Sequence, residues 1–340
     1  MSDKTSPKSE FTRPLAHLNG ERPPAPAWFE SAIAAPSEEG STEVDGCSVR
    51  YSAWGEKGAP GLLFVHGGRA HRNWWRPFAP YFAGDHRVAA LDLSGMGDSG
   101  WRERYSLENW VREIFSVIEA AELDRAGRPV VIGHSFGGWI TLGAVEEAGE
   151  RLGGAVVLDS PLGVPDPHEG YQVARSGDNN GDKENGANAE GDSKKKKAFS
   201  AKLYETQEEP VSRFRLLPDQ PGEHLYILDY IAREGLKRVE DETGKEGWRW
   251  KFDAMPGGDI DIHFERELLR VARCPLAFVY GEKSAFAAGD ALAHIEAQAK
   301  GRSPFIMMPE CHHHLMLDQP LAFIATLRTL LACWPVRVGA

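Results

Sequence analysis

The feature that most constrains this fold is an alternation along the chain of short apolar runs and amphipathic segments. Several runs are apolar at every position, as strands buried on both faces of a sheet are. The helical pattern is clearest in Ser106–Leu123, where apolar residues recur every three or four positions. Parallel strands joined by crossover helices produce this order, which predicts an α/β fold. The predicted strands are Cys47–Gly55, Gly61–Gly68, His86–Gly95, Pro129–Ser135, Gly153–Pro161, Pro275–Glu282 and Ser303–Glu310.

Composition and charge argue against several classes of protein. The formal net charge of −11 repels a nucleic-acid backbone, so we predict no nucleic-acid partner. No apolar stretch approaches the roughly 18 residues of a membrane span, and the polar N-terminal segment has no signal-peptide core. The four cysteines lack CxxC spacing, which argues against a zinc site and a disulfide framework. We expect a cytoplasmic protein that acts on a small molecule and has no membrane partner.

The alternation breaks after the fifth predicted strand. Residues 163–262 are predicted to form an inserted lid over the carboxyl ends of the strands, because helical patterns with large side chains dominate much of this span. Within it, residues 176–197 contain no apolar side chain larger than alanine, so we predict that they are disordered. The core then comprises residues 41–162 and 263–340, and a partly disordered extension at 1–40 precedes it.

A Gly-His-Ser-Phe-Gly stretch at 133–137 stands between a predicted strand and a helical pattern. Such a turn is strained and lifts the serine oxygen clear of the sheet, and side chains at Gly133 and Gly137 would collide with backbone. A serine nucleophile needs a base and oxyanion donors beside it, and the amide of Phe136 points to the same spot. We interpret Ser135 as a nucleophile, although the motif alone fits an ordinary strand-to-helix turn equally well.

A His-Gly-Gly sequence at 66–68 ends an earlier predicted strand and supplies a second oxyanion donor. We assign this donor to the amide of Gly68 and a supporting role in the loop to His66. Arg69, His71 and Arg72 follow directly, and either they face solvent or one of them contacts a substrate carboxylate. The residues predicted to bind substrate are Arg69, His134, Trp248 and Trp250.

Three consecutive histidines at 312–314 follow the last predicted strand. Histidine suits a general base because its pKa lies near the working pH. Adjacent residues in a loop rarely aim at one ion, and no acidic or cysteine partner is spaced to complete a site, so we predict no metal.

A carboxylate must orient this base, and the chain order serine, acid, histidine restricts the choice. We favour Asp159, which ends the strand after the nucleophile helix and would lie beside the serine strand. A structural alternative is that Asp159 only caps the entry to the lid. The acid often follows the penultimate strand as Gly-x-x-Asp, but Ser284 stands at that position here. Asp290 and Glu282 therefore stay open as alternatives.

These motifs, in this order, resemble those of the α/β-hydrolase family from about Cys47 to the end of the chain, apart from the insert. The matching sequences are HGG (66–68), LDLSGMGDSGW (91–101), GHSFGGW (133–139) and HHHLMLDQP (312–320). The resemblance implies an α/β-hydrolase fold, with a mainly parallel eight-stranded sheet, helices on both faces and an inserted helical lid. It favours His313 as the base over His312 and His314. Relatives with an aspartate nucleophile, the dehalogenases and epoxide hydrolases, are disfavoured because the turn carries Ser135.

The expected function is that of a serine hydrolase, with Ser135, His313 and Asp159 as its triad and no cofactor. It is expected to cleave a carboxylic ester of a small apolar or aromatic substrate through an acyl-enzyme. Two alternatives stay open. One is a carbon–carbon bond hydrolase of a dienoate ring-cleavage product, and the other is a catalytically weak ligand-binding receptor. The sequence does not indicate the substrate, the pathway or the oligomeric state.

Overall fold

The computed structural model describes residues 12–162, 202–241, 243–253, 272–287 and 290–333. Its strands are β1 (Glu38–Val44), β2 (Cys47–Trp54), β3 (Gly61–Val65), β4 (Arg87–Leu91), β5 (Val130–His134), β6 (Gly154–Leu158), β7 (Leu236–Glu240), β8 (Glu246–Trp250), β9 (Leu276–Gly281) and β10 (Phe305–Met308). Eight of them form one sheet in the order β1-β2-β4-β3-β5-β6-β9-β10. Pairing is antiparallel at β1–β2 and β2–β4 and parallel from β4 to β10. The predicted mainly parallel, eight-stranded sheet is confirmed.

Helices cover both faces of this sheet, as predicted. They are α1 (Ala27–Ala34), α2 (Leu107–Ala120), α3 (Phe136–Ala148), α4 (Glu208–Ser212), α5 (Leu225–Glu234), α6 (Asp290–Ala299), α7 (Leu315–Asp318) and α8 (Pro320–Cys333). Helices α2, α3 and α6 contribute to one buried apolar cluster, and α1, α5 and α8 contribute to the other. Along β3, Leu63 and Val65 join the first cluster while Leu62 and Phe64 join the second. This alternation on a strand with no exposed face explains its continuous apolar sequence.

The seven predicted strands are all present, and each is shorter than predicted, by at most four residues at either end. Helix α2 begins after Ser106, whose hydroxyl accepts a hydrogen bond of 3.1 Å from the amide of Asn109, as expected of an N-cap. Strand β1 was not predicted, because its sequence is polar and mostly exposed at the edge of the sheet. It begins at Glu38, so the expected boundary at residue 40 falls inside it.

Part of the segment before β1 packs against the core, beginning at Leu15. Leu15 and Phe29 are 1% and 3% exposed and belong to the second apolar cluster. The part of the predicted extension at residues 1–11 lies outside the described residues.

The chain leaves the sheet after β6 and returns at β9, which is hydrogen-bonded directly to β6. The described part of this insertion contains α4, α5 and an antiparallel hairpin formed by β7 and β8. A hairpin thus accompanies the expected helices. Ile227 and Ile231 of α5 are buried in the second apolar cluster, which packs the insertion against the core. The predicted disordered segment 176–197 lies outside the described residues.

Among the described residues, no helix is both long enough and apolar enough to cross a bilayer.

Candidate active site

The turn between β5 and α3 holds Ser135 in a backbone conformation that L-residues rarely adopt, with φ 54° and ψ −118°. Two glycines make this turn possible. A Cβ atom at Gly133 would overlap the carbonyl oxygen of Gly137 and the hydroxyl of Thr141. A Cβ atom at Gly137 would overlap the carbonyl oxygen of His66. The sequence of this turn is therefore set by how closely the backbone approaches itself around the serine.

His313 lies between Ser135 and Asp159 and is hydrogen-bonded to both. Its Nε2 is 2.9 Å from Ser135 Oγ, and its Nδ1 is 2.9 Å from Asp159 Oδ1. His313 is 2% exposed and Asp159 is fully buried, so water does not compete for these contacts. In this geometry the imidazole can accept the serine proton while the carboxylate holds it in the required tautomer.

Asp159 follows β6 and has φ 44°, a left-handed conformation that aspartate tolerates. Its Oδ2 accepts a hydrogen bond of 2.7 Å from the amide of Gly281, and its Oδ1 accepts one of 2.5 Å from the hydroxyl of Ser284. Together with His313, these donors satisfy a carboxylate that has no access to water. Ser284, the residue found where the acid was sought, thus supports the acid on the neighbouring strand.

Of the two alternative acids, Glu282 makes no hydrogen bond to His313 within the described part of the structure. Glu282 is exposed, and its Oε2 accepts a hydrogen bond of 3.0 Å from the amide of Glu310. Asp290 begins α6, and its side chain lies outside the described residues.

Only one of the three consecutive histidines reaches Ser135. His312 turns toward Asp318, with 3.2 Å between its Nδ1 and Oδ2 of the carboxylate. His314 turns the other way, and its Nε2 is 3.2 Å from the carbonyl oxygen of Leu217. Burial, and next the charge of His313, holds the pKa of His314 well below its usual range. The ring is therefore neutral at neutral pH.

His134 precedes the serine and supports the base from behind. Its Nε2 is 3.0 Å from the carbonyl oxygen of His313, and its side chain is 1% exposed. Burial, followed by the charge of His313, holds the pKa of His134 well below its usual range. We predicted contact with substrate for His134, but it is not among the residues that line the cavity beside Ser135, because its ring packs against His313 and His314.

The loop that follows β3 lies against the start of α3. Gly68 and Phe136, the predicted oxyanion donors, both border the cavity beside Ser135. The ring of His66 supports this loop: its Nδ1 donates to the carbonyl oxygen of Gly67 at 2.7 Å, and its Nε2 accepts from the amide of Leu93 at 3.1 Å. Burial lowers the pKa of His66, which favours the neutral ring that this pairing requires.

A cavity opens at Ser135 and His313, and aromatic and basic side chains line much of it. Trp250 and Arg69, both predicted to bind substrate, are among its lining residues. Trp248 is not: its backbone pairs with Tyr204, and its side chain packs against the second apolar cluster. The aromatic residues are Trp74, Phe136, Trp139, Phe214, Trp250, Phe252 and Phe286.

Four basic side chains line this cavity, and no acidic side chain of the described residues does. Arg69 lies with its guanidinium 5.9 Å from the ring centre of Phe252. Burial, and then the nearby charge of Arg69, lowers the pKa of Arg215. Arg213 forms an ion pair with Glu209 at 3.1 Å, and Lys251 forms one with Asp98 at 2.9 Å. The sequence analysis singled out only Arg69 of these four, because no local pattern shows which side of an insertion faces a cavity.

The chain is similar to known hydrolases in both sequence and structure. The model of a family described as the alpha/beta hydrolase family matches residues 62–326. Among solved structures, E-2-(acetamidomethylene)succinate hydrolase superimposes with a TM-score of 0.68 and 18% identity, covering 88% of this chain and 100% of the other. At that identity the likeness shows the fold.

Three curated relatives that are more than 30% identical to this chain match over shorter stretches. Epoxide hydrolase 4 of Mus musculus is 34% identical over 98 residues, or 28% of this chain and 26% of the relative. The probable esterase PIR7A of Oryza sativa subsp. indica is 33% identical over 121 residues, 35% and 45% of the two chains. A 2-hydroxy-6-oxo-6-(2'-aminophenyl)hexa-2,4-dienoic acid hydrolase of Metapseudomonas resinovorans is 31% identical over 128 residues, which is 36% of this chain and 43% of the relative. The matches thus span from about a quarter to less than half of each relative's length.

Proposed function

The chain belongs to the alpha/beta hydrolase family and is an enzyme of hydrolase type, and we propose that it cleaves carboxylic esters through a serine acyl-enzyme. The observation that carries this proposal is the continuous hydrogen-bonded chain from Ser135 through His313 to Asp159 at the cavity wall. The aromatic lining of that cavity supports a small apolar or aromatic substrate.

In the proposed mechanism, Ser135 Oγ attacks the ester carbonyl carbon while His313 Nε2 takes the hydroxyl proton. Asp159 stabilises the imidazolium that results. The amides of Phe136 and Gly68 hold the oxyanion, and one such donor is typically worth about 2.7–4 kcal/mol. His313 then gives the proton to the departing alcohol, and water attacks the acyl-serine with His313 again as base. The carboxylic acid leaves and Ser135 regains its proton.

Labelling with a fluorophosphonate tests the nucleophile directly. We expect the wild type to be modified at Ser135, with Ser135→Ala unlabelled and inactive toward an aryl ester. Ser212→Ala is the matched control, since its hydroxyl donates a hydrogen bond to the carbonyl oxygen of Glu209 and it is not among the residues that line the cavity. A label on another residue, or a wild type inert to the probe and to every activated ester, would contradict the proposal. Inertness combined with retained ligand binding would favour the receptor alternative.

A second candidate is a carbon–carbon bond hydrolase of a dienoate ring-cleavage product. The basic lining of the cavity, with Arg69 directly after the oxyanion loop, favours an acidic substrate of this kind. One of the relatives carries such a substrate in its name. Comparing kcat/KM for a neutral aryl ester with that for a vinylogous diketo acid decides between the two. A clear preference for the acid would replace ester cleavage as the main activity while keeping the same triad.

We also propose the cytoplasm as its compartment. All four cysteines, Cys47, Cys274, Cys311 and Cys333, are free thiols, which is usual for proteins of a reducing compartment.

A further inference from the structure

Three imidazole rings from two distant parts of the chain meet beside the cavity. His134 ends β5, and His313 and His314 come from the loop after β10. One ring nitrogen of each lies within 4.8 Å of those of the other two, and the ring centres are 4.7–5.2 Å apart. All three side chains are buried, while His313 and His314 also border the cavity. Imidazole is the commonest protein ligand for divalent transition metals.

This trio differs from the one considered in the sequence. Metal binding by the consecutive histidines was disfavoured because neighbours in a loop rarely aim at one point. His312 does turn away, toward Asp318. The third ring comes instead from His134, which the chain fold brings to the other two from the nucleophile turn.

Each of the three rings already has the outer partner that metal-binding histidines use. Such histidines nearly always donate their second N–H to a carboxylate or a backbone carbonyl, which fixes the ring and its tautomer. His313 does this toward Asp159, at 2.9 Å. His134 and His314 are paired with the carbonyl oxygens of His313 and Leu217, at 3.0 Å and 3.2 Å.

These pairings leave each ring with one nitrogen that bears a lone pair. A carbonyl oxygen only accepts, so the Nε2 atoms of His134 and His314 carry their protons and the Nδ1 atoms do not. Nδ1 of His314 is buried and has no hydrogen-bond partner within the described part of the structure. In His313 the free lone pair is on Nε2, which accepts from Ser135. A buried acceptor without a partner is unfavourable, and a metal ion would satisfy it.

We propose that His134, His313 and His314 form an inhibitory site for a divalent transition metal of the zinc type. The ion takes the lone pair that His313 needs as a base, so Ser135 keeps its proton and acylation stops. The binding claim stands on the three rings alone, whereas the inhibition claim rests on the proposed function.

The geometry and the charge of the site determine how strongly it should bind a metal ion and which ions it should prefer. Tetrahedral zinc with bonds of about 2.0–2.1 Å places its ligand nitrogens about 3.3 Å apart, so ring nitrogens that now lie up to 4.8 Å apart must approach by up to about 1.5 Å. The basic side chains of the cavity oppose a dication. Both effects weaken binding and predict a reversible inhibitor rather than a resident ion. Zn²⁺, Co²⁺ and Ni²⁺ suit imidazole ligands, whereas Mg²⁺ and Ca²⁺ prefer oxygen.

Calorimetric titration of the full chain with Zn²⁺ and the visible spectrum with Co²⁺ test the binding without any turnover. We expect one ion per chain and a tetrahedral Co²⁺ spectrum in the wild type. His314→Gln and His134→Gln keep a donor for the carbonyl partners but remove the lone pair, so each should weaken binding by about tenfold or more. His312→Asn, which alters the neighbouring histidine and can still reach Asp318, should bind as the wild type does.

In parallel, Zn²⁺ should inhibit aryl ester hydrolysis by the wild type and the His312→Asn variant, and a chelator should restore it, while Mg²⁺ has no effect. Two folding-independent results overturn the proposal: no specific Zn²⁺ or Co²⁺ binding by the wild type, or loss of binding in His312→Asn. Unchanged affinity in the folded variants of His134 and His314 overturns it as well. If the wild type hydrolyses no ester, the binding measurements still decide whether the site exists, and only the proposed function fails.

Discussion

The hydroxyl of Ser284 donates a 2.5 Å hydrogen bond to Oδ1 of Asp159, the oxygen that also contacts His313 Nδ1. Ser284 follows β9 at the Gly-x-x-Asp position, and Asp159 follows β6, the strand beside it. The two positions therefore meet at one carboxylate. We therefore propose that their roles are exchanged: Asp159, after β6, is the acid, and Ser284, after β9, donates a hydrogen bond to it.

We therefore expect that the carboxylate can be moved to position 284 and the supporting hydroxyl to position 159. Asp159→Ser should lose about 10⁴ in kcat, the scale seen when a triad carboxylate is removed. Adding Ser284→Asp returns a carboxylate to the same pocket and should recover at least about tenfold. Aryl ester kinetics, with circular dichroism to confirm folding, measure the effect. A folded double variant no better than Asp159→Ser would show that the β9 position cannot reach the base.

A separate experiment tests which carboxylate orients His313. Asp159→Asn should lower kcat by about 10⁴ with little change in KM, since the carboxylate orients His313 and does not touch substrate. Glu282→Gln, an exposed neighbour of the same charge type, should stay within about twofold. Near-normal turnover in Asp159→Asn, together with loss of turnover in Asp290→Asn, would make Asp290 the acid.

The glycines of the nucleophile turn should not tolerate a methyl group. Gly137→Ala drives a Cβ atom into backbone carbonyl oxygens and should lower the free energy of unfolding by about 2 kcal/mol or more, with loss of turnover. Gly84→Ala meets no atom within 4 Å and should change stability by less than about 0.5 kcal/mol. Urea denaturation measures both, and equal stabilities would contradict the steric account.

Acid should destabilise the fold through His71. Its Nε2 donates to the carbonyl oxygen of Ile231 in α5, and burial lowers its pKa from 6.5 to about 4. Between these values the unfolded chain binds a proton that the folded chain does not, so stability falls as pH decreases below 6.5. From about pH 7.5 to pH 4.5 the loss due to this group is about 2.5 kcal/mol.

His71→Gln keeps a donor but cannot titrate, and urea denaturation at several pH values compares it with the wild type. Its stability should fall by about 2.5 kcal/mol less over the same pH interval. Parallel pH curves for the two proteins would contradict the assignment. Burial also lowers the pKa values of His66, His134 and His314, and they add the same acid sensitivity to both proteins.

We expect Arg215 to make the enzyme distinguish an acidic ester from a neutral one. An aryl hemisuccinate and an aryl butyrate present the same leaving group with and without a carboxylate. If the cavity binds the acid as its basic lining suggests, Arg215→Gln should lower the kcat/KM ratio of the acidic to the neutral ester by about tenfold, or 1.4 kcal/mol. Arg238→Gln, at an exposed arginine of β7, is the control. An unchanged ratio in Arg215→Gln would remove this arginine from substrate recognition.

The fold was predictable because buried parallel strands have an unambiguous sequence pattern. Val130, Val131 and Ile132 of β5 have no exposed face, so their continuous apolar run indicates a central strand. Strand β1 carries the sequence EEGSTEV and pairs at an exposed edge, where burial imposes almost no pattern. For the hairpin of the insertion, the sequence offers only a short alternation of polar and apolar residues near Trp248, which is too little to predict two paired strands.

The site was predictable where it depends on chain order and local turns. Ser135, Asp159 and His313 each follow a strand, and parallel strands end at one edge of the sheet, so the expected meeting of the three is found in the structure. Their catalytic roles stay predictions. The support by Ser284 and the meeting of His134 with His314 depend on register between strands and on side-chain rotation. Neither is encoded in a local pattern.

Strands β6 and β9 are adjacent although the whole insertion separates them along the chain, and the amide of Asp159 itself bonds the carbonyl oxygen of Val279 at 2.8 Å. The hydrogen bonds that join Ser135, His313 and Asp159 thus lie at the edge of the sheet, and the insertion contacts the neighbouring His314 through Gln220 and Leu217. A segment that keeps these two contacts can therefore replace the rest of the cavity wall while the proposed triad stays in place. Grafting a foreign segment between Pro161 and Pro275 would change the substrate preference under the same condition.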